Sequence, residues 1–384
     1  MSMRCLIVLL SVFLLSGCAE PQPRTVSPNL DDTSLNLLRS LKRDQHDIWR
    51  IEYWNGRPML VTDAGICLLN DEQQLIALEA TSGTPLRDAV ESGGKSWVLE
   101  TLPNSARLLE YHNGKWREEK TFPPARDPYD DIRLIKDADR PAVMMADAIW
   151  RYRNGAWNRI PLPAGMAKGI PLHNYFQREA ELFDLHLGVV NNILFVGIDR
   201  GEDGGAMYYL NLDTPSPKWQ FFESDAVRGL AVDRHDNVWC GIGLLHGGKH
   251  SAGLRSFDGK NWKSAFEFEG YSWQGYDNST EQIFGSRSSL SSICMDPSRS
   301  HLYLLASQAG IFRKEGEKLI PVLRLPERIN ATEYANGLLV GQDEVFYIAD
   351  GDAGLLIFSK RSDRYTVQSI PLPYPRKPLP PEIY

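Results

Sequence analysis

The sequence predicts an all-β fold, a ring of seven small antiparallel sheets of four strands each. Three observations predict it. Seven apolar runs read as second strands: Met59–Val61, Ser96–Leu99, Ala142–Met145, Ile193–Val196, Asn237–Cys240, Leu302–Leu305 and Val345–Ile348. Each is followed, after a turn, by a third-strand run: Ile66–Leu69, Arg107–Tyr111, Ala148–Tyr152, Met207–Leu210, Gly253–Phe257, Ile311–Arg313 and Leu355–Phe358. An aromatic or leucine then opens a last strand, at Leu75, Trp116, Trp157, Trp219, Trp262, Leu319 and Tyr365, with spacings of 41, 41, 62, 43, 57 and 46 residues. Short strands, turn signals and a period in the forties belong to radially repeated blades.

The chain begins with one basic residue, Arg4, and an apolar run from Leu6 that ends at Leu15-Ser16-Gly17-Cys18. About ten apolar residues are too few to span a bilayer, which needs roughly 20 in a helix. Charge, short apolar core and small residues read as a secretory signal over 1–17. A cysteine directly after Leu-Ser-Gly resembles the lipobox of bacterial lipoproteins. That resemblance implies cleavage before Cys18, a diacylglyceryl group on its sulfur and an acyl chain on its amine, anchoring the protein in a membrane. Ala19 stands where the Gram-negative sorting pattern puts Asp for inner-membrane retention, so the resemblance implies the outer membrane. Residues 18–45, with Pro21, Pro23 and Pro28 among polar residues, read as a lipidated flexible tether. One or two helical turns are expected near Ser34–Arg43. Residues 46–373 hold the repeats, and 374–384 form a proline-rich tail that prefers an extended polyproline helix.

The hairpins entering the last strands repeat almost literally. Tyr111-His-Asn-Gly-Lys-Trp116 and Tyr152-Arg-Asn-Gly-Ala-Trp157 differ little, and Phe257-Asp-Gly-Lys-Asn-Trp262 is the same hairpin with a residue shifted. Asn-Gly and Asp-Gly accept the positive φ of tight turns, and the tryptophans are expected to pack between neighbouring blades. The pattern resembles a seven-bladed β-propeller of four-stranded antiparallel blades. In particular, Leu230-Ala-Val-Asp233-Arg-His-Asp-Asn237-Val-Trp239, followed by Gly253-Leu254-Arg-Ser-Phe257-Asp258-Gly259, is similar to the repeat in the propeller sensor domains of hybrid two-component regulators. Leu290–Asp296 with Gly310-Ile311-Phe312 follows that repeat less closely, and the other blades share only its periodicity. A β-helix has a shorter period and a sandwich would not repeat seven times. Whether the first and last blades interlock stays open, as does an eighth blade.

Blade topology turns insertions into a map. Loops from strand two to strand three and loops between blades lie on one face. The long spacings place insertions at Ala164–Glu181 and Phe268–Ser289, and two strand-two-to-three connections are long, Asp199–Gly205 and Gly243–His250. All four are expected on one face near blades four to six, and loops on a rigid scaffold are where function usually sits. Tyr271, Trp273 and Tyr276 place three aromatics in one polar loop, and Tyr175 and Phe176 sit in the other insertion. Such rings suit contact with proteins or glycans. Glu202 and Asp203 would add an acidic rim. His246 and His250 lie four apart, but their glycine-containing stretch reads as a loop, so no metal is assigned.

Composition limits the functions open to the chain. Its formal charge is −7, and loss of Arg4 with the signal brings the balance to −8, which argues against a nucleic-acid partner. Cys67, Cys240 and Cys294 sit in apolar segments and read as buried thiols rather than metal ligands. The sequence has no Gly-x-Ser-x-Gly elbow, His-Glu-x-x-His pair or phosphate loop. Asp350-Gly-Asp352-Ala-Gly354 reads as a turn rather than a calcium loop. Asp233 and Asp296 are placed at strand-end turns on the face away from the long loops, and Glu333 near a first strand. These readings predict a monomeric, cofactor-free envelope lipoprotein that binds a protein or glycan partner. A propeller hydrolase or lyase acting on envelope sugars or lactones is the alternative, and a ligand sensor is a third possibility.

Overall fold

A computed structural model describes residues 29–41, 48–79, 86–102, 104–112, 115–123, 132–145, 148–162, 184–199, 204–214, 218–223, 225–246, 249–271, 290–306, 309–325, 335–350 and 353–374. These form one α-helix, α1 (Asp32–Ser40), a short 3-10 turn at Gln342–Glu344, and seven four-stranded antiparallel sheets. Blade one holds β1 (Ile48–Trp54), β2 (Arg57–Thr62), β3 (Gly65–Leu69) and β4 (Leu75–Ala77). Blade two holds β5 (Leu86–Ser92), β6 (Lys95–Leu102), β7 (Ser105–His112) and β8 (Lys115–Phe122). Blade three is β9 (Arg133–Ile135), β10 (Ala142–Met145), β11 (Ala148–Arg153) and β12 (Ala156–Pro161). Blade four is β13 (Asp184–Val190), β14 (Ile193–Asp199), β15 (Gly205–Asn211) and β16 (Gln220–Glu223). Blade five is β17 (Val227–Val232), β18 (Val238–His246), β19 (Lys249–Phe257) and β20 (Trp262–Tyr271). Blade six is β21 (Leu290–Met295), β22 (Leu302–Ala306), β23 (Gly310–Glu315) and β24 (Lys318–Arg324). Blade seven is β25 (Ala335–Val340), β26 (Phe346–Asp350), β27 (Gly354–Arg361) and β28 (Arg364–Ile370). The architecture is a seven-bladed β-propeller, as the repeat predicts.

Strand order in every sheet follows chain order, so no strand is exchanged between the ends of the chain. First strands of successive blades touch around the axis. Second strands are the most buried: β2, β6, β10, β14 and β22 carry runs of four or more consecutive buried residues. They read as unbroken apolar runs because both faces meet a neighbouring blade. Outer strands such as β12 are mostly exposed.

Two irregularities recur. In five blades the first strand carries an extra residue near its start: Trp49, Arg87, Arg228, Ser291 and Asn336. In four blades the outer strand carries an extra residue three positions after its opening marker: Glu119, Phe222, Ala265 and Val322. A bulge bends and twists its strand and re-aims a side chain, and repetition at equivalent places makes it part of the blade design.

The ring closes by packing. Ile48, Ile51 and Leu60 of blade one share a core with Ala349, Leu355 and Ile370 of blade seven. Gly337 permits the approach, since a Cβ there would stand 2.5 Å from Ile51 Cγ2. Tyr53 Oη donates to the Val340 carbonyl at 3.1 Å, and Tyr374 Oη donates to the Ile66 carbonyl at 2.9 Å. Tyr374, at the start of the expected tail, is thus packed on blade one; 375–384 lie outside the described residues.

The stretch expected to be a free tether is corrected over 29–41. Asn29 and Leu30 lie along the start of β28, with Tyr365 N donating to Asn29 O at 2.7 Å and Asp31 N to Tyr365 O at 3.1 Å. Asp31 then caps α1 through Ser34 N at 2.7 Å. Leu30 and Leu38 are buried with Phe346, Phe358 and Tyr365. Leu35 and Leu41 pack against the same cluster, so the helical turns expected near Ser34–Arg43 present an apolar stripe with a place to dock. Cys18 and the signal lie outside the described residues. No described helix is long and apolar enough to cross a membrane.

Candidate functional site

Turns from second to third strands and connections between blades share one face of the ring. The connections 200–204, 247–248, 163–183 and 272–289 all leave from it, on blades three to six. Tyr175, Phe176, Glu202, Asp203, Trp273 and Tyr276 lie outside the described residues.

The Gly243–His250 stretch is a correction. It is not a loop but the end of a long hairpin: Gly243 pairs with Ala252, Leu245 with His250 and His246 with Lys249. β20 extends with it, pairing Phe268 with Ala252 and Tyr271 with Lys249, so the insertion expected from Phe268 starts at 272. Backbone pairing simply continued across residues that turn propensity assigned to a loop. The product is a three-stranded ribbon standing on the face. Its last row places His246, Lys249 and Tyr271 side by side, with His250 in the row beneath. Gly243 seats the ribbon, because a Cβ there would lie 2.8 Å from the Leu290 carbonyl. The side chains of His246, His250 and Tyr271 are outside the described part of the molecule.

Sequence reasoning missed the polar groups around the axis. Arg50, on β1, reaches across two neighbouring first strands. It pairs with Asp88, donates to the Ala89 carbonyl at 2.6 Å and to the Leu134 carbonyl at 3.3 Å, and lies 3.3 Å from Glu52. Asp88 is fully buried and also accepts from Ala89 N at 2.8 Å and Leu134 N at 2.6 Å. Burial raises the Glu52 pKa above the ordinary carboxylate value, against the pull of Arg50. Across the ring, burial and then the charge of Arg228 lower His186 from 6.5 to about 4. Arg228 itself pairs with Asp199 at 2.6 Å. Three of the bulged first-strand residues join this rim. The Trp49 indole is clasped by two guanidiniums, Arg87 at 4.1 Å and Arg133 at 4.2 Å, and Arg228 is the third. The signal available in sequence was an arginine, Arg50, Arg87, Arg133 or Arg228, in the first strands of blades one, two, three and five.

The opposite face holds the motif aspartates. Asp233 accepts from His235 N at 2.8 Å, Asn237 N at 3.0 Å, Asn237 Nδ2 at 2.9 Å and Trp239 Nε1 at 3.2 Å. Asp296 does the same for Ser300 N at 2.7 Å and His301 N at 2.9 Å. These are turn clamps, as their strand-end placement implies; Glu333 lies outside the described residues. Asp350 pairs with Gly354 across a strand turn and accepts from Ala353 N at 3.0 Å. Cys67 and Cys240 are buried and Cys294 half-buried, all free thiols. Burial pushes the Cys67 thiol up to about 12. Among the described residues no three potential metal ligands cluster.

No protein family matches this chain, and no curated protein does. Solved structures do. The Dos1 propeller is 13% identical with a TM-score of 0.50, covering 86% of this chain and 87% of its own. The extracellular domain of a hybrid two-component system from B. thetaiotaomicron is 14% identical with a TM-score of 0.36, covering 83% of this chain and 46% of its own. A 6-phosphogluconolactonase from Bacteroides uniformis is 12% identical with a TM-score of 0.47, covering 81% of this chain and 90% of its own. At these identities the likeness is one of fold.

Proposed function

We propose that this chain is a non-enzymatic binding propeller of a bacterial envelope, held at the outer membrane by lipid on Cys18, that carries a partner protein or glycan on its loop-rich face. One observation carries the reading. Two long connections, 163–183 and 272–289, leave one face of the ring, and the ribbon of β18, β19 and β20 rises from the same face. A rigid scaffold presenting adaptable loops is the usual arrangement for recognition. Around the axis the described charges are committed to one another: Arg50 to Asp88, and Arg228 to Asp199. The blades would fix the rim, the loops 163–183 and 272–289 would grip, and the lipid would set the position.

The test is capture from crosslinked cells with and without the Tyr271, Trp273 and Tyr276 side chains. Replacing all three by Ala should weaken capture severalfold and leave the thermal midpoint nearly unchanged. Undiminished capture would remove the face from consideration. A hydrolase acting on envelope sugars or lactones is favoured only by Glu52, whose raised pKa suits a proton donor. Turnover of a lactone or glycan that disappears in Glu52→Gln would replace the binding reading.

A further inference from the structure

The hairpin tryptophans and tyrosines of the repeat line the grooves between neighbouring blades, at the outer rim of the face opposite the long loops. Four of these grooves are covered. Between blades two and three, Arg140 lies 4.0 Å over the Tyr152 ring and pairs with Glu119. Between blades four and five, the bulged Phe222 stacks on Trp262 at 4.2 Å with an 11° tilt. Between blades five and six, Lys314 lies 4.9 Å over Trp239. Between blades six and seven, Glu344 takes Arg313 at 2.9 Å and Tyr303 at 3.3 Å, and the arm 29–41 lies over the rest.

The groove between blades one and two differs. It is an open cavity of about 410 Å³ whose wall includes Trp54, Leu68, Leu78, Tyr111 and Trp116. Tyr111 is 42% exposed and meets Trp116 at 4.8 Å and 56°. The outer strand β4 has only three residues, and Leu78, three positions after the Leu75 marker, stands where blade four offers Phe222. The β5–β6 turn is a bare Gly93-Gly94 pair, where blade seven supplies Glu344 from the equivalent turn.

We propose that this groove is a docking site for an extended peptide of a partner protein that presents a leucine followed by acidic residues. The molecule itself shows how such a groove is filled. At blades six and seven, Asn29 Nδ2 donates to the Val322 carbonyl at 2.7 Å, Asn29 Oδ1 accepts from Arg324 N at 2.9 Å, and Leu30 bridges the marker residue Tyr365. Val322 and Tyr365 correspond to Leu78 and Trp116 by position in the repeat. The start of β8 corresponds to the start of β28, where the arm lies along the strand, and the rings offer a seat for an apolar side chain. The exposed Lys115 adjoins Trp116, and Arg57, which lines the cavity and pairs with Asp71 at 2.8 Å on an exposed surface, could exchange that partner for acids like the Asp31-Asp32 that follow Leu30. This site is separate from the loop-rich face and does not depend on it.

The experiment is fluorescence anisotropy of a labelled peptide with the sequence of residues 28–41 against the full chain. Saturable binding is expected. Leu78→Trp, which imitates the ring of Phe222, and Tyr111→Ala should each weaken it about tenfold or more. Tyr152→Ala, at a covered groove, should leave it unchanged. Arg57→Glu, on an exposed side chain, carries the test should Leu78→Trp lower the thermal midpoint, and should also weaken binding. Binding that survives these substitutions, as it would if the peptide displaced the chain's own arm at blades six and seven, overturns the proposal. So does absence of saturation at millimolar peptide, or binding of oligosaccharides there in place of the peptide.

Discussion

Asp233 shows how one carboxylate sets a turn. Burial pushes its pKa up, but hydrogen bonds from Asn237, His235 and Trp239 prevail and hold it below the ordinary value. The Asp, Asn and Trp of the repeat are therefore one hydrogen-bonded unit, and the spacing that made blade five recognisable is structural. Asp233→Ala should cost about 1–2 kcal/mol in chemical denaturation. Arg50 carries more, because its loss leaves Asp88 buried beside only backbone donors. Arg50→Ala should destabilise by roughly 3 kcal/mol, and an unchanged midpoint would show that Asp88 needs no counter-charge. His186 gives a pH signature. Its folded pKa, about 4, lies below its ordinary 6.5, so the folded state resists protonation that the unfolded chain accepts. This contribution is fully present above 6.5 and is lost as pH falls toward 4. His186→Gln should flatten that part of the stability profile.

Among the elements, the marker residues proved the most legible. Each of the seven lies within one residue of the start of an outer strand, because a turn followed by a large side chain is a local event. Leu30 and Leu38 were not legible in the same way: their partners, Tyr365 and Phe346, lie more than 300 residues away. The blade-five ribbon was misread for a related reason. Glycines and histidines have weak strand propensity, and only pairing with β20 makes that stretch extended. Arm docking is testable as a local event. Leu38→Ala should speed limited proteolysis within α1 severalfold, and Asp31→Ala should do so more weakly, since a lost cap costs about 1 kcal/mol. Equal cleavage rates in all three proteins would mean that the arm is not held by these contacts.

At the scale of the molecule, the repeat count gave the ring, yet how the ring shuts was beyond reach of periodicity. Closure rests on side-chain fit between blades one and seven, and Gly337 is its tightest point. Gly337→Val should lower stability by about 2–4 kcal/mol by forcing Ile51 off its seat, a drop of several degrees in calorimetry. The candidate partner face was legible as topology, since strand order fixes where connections emerge. Its chemistry was less so, because the arginines of the rim serve pairings across blades that no local pattern encodes.

The arm also decides where the molecule would yield under load. Tension applied ahead of Asn29 would run first into the backbone bonds to Tyr365 and the amide grip on Val322 and Arg324, all on the two last blades. Blade one begins at Ile48, seven residues past Leu41, and would feel nothing until α1 had peeled away. The arm thus acts as a mechanical fuse, sparing the ring.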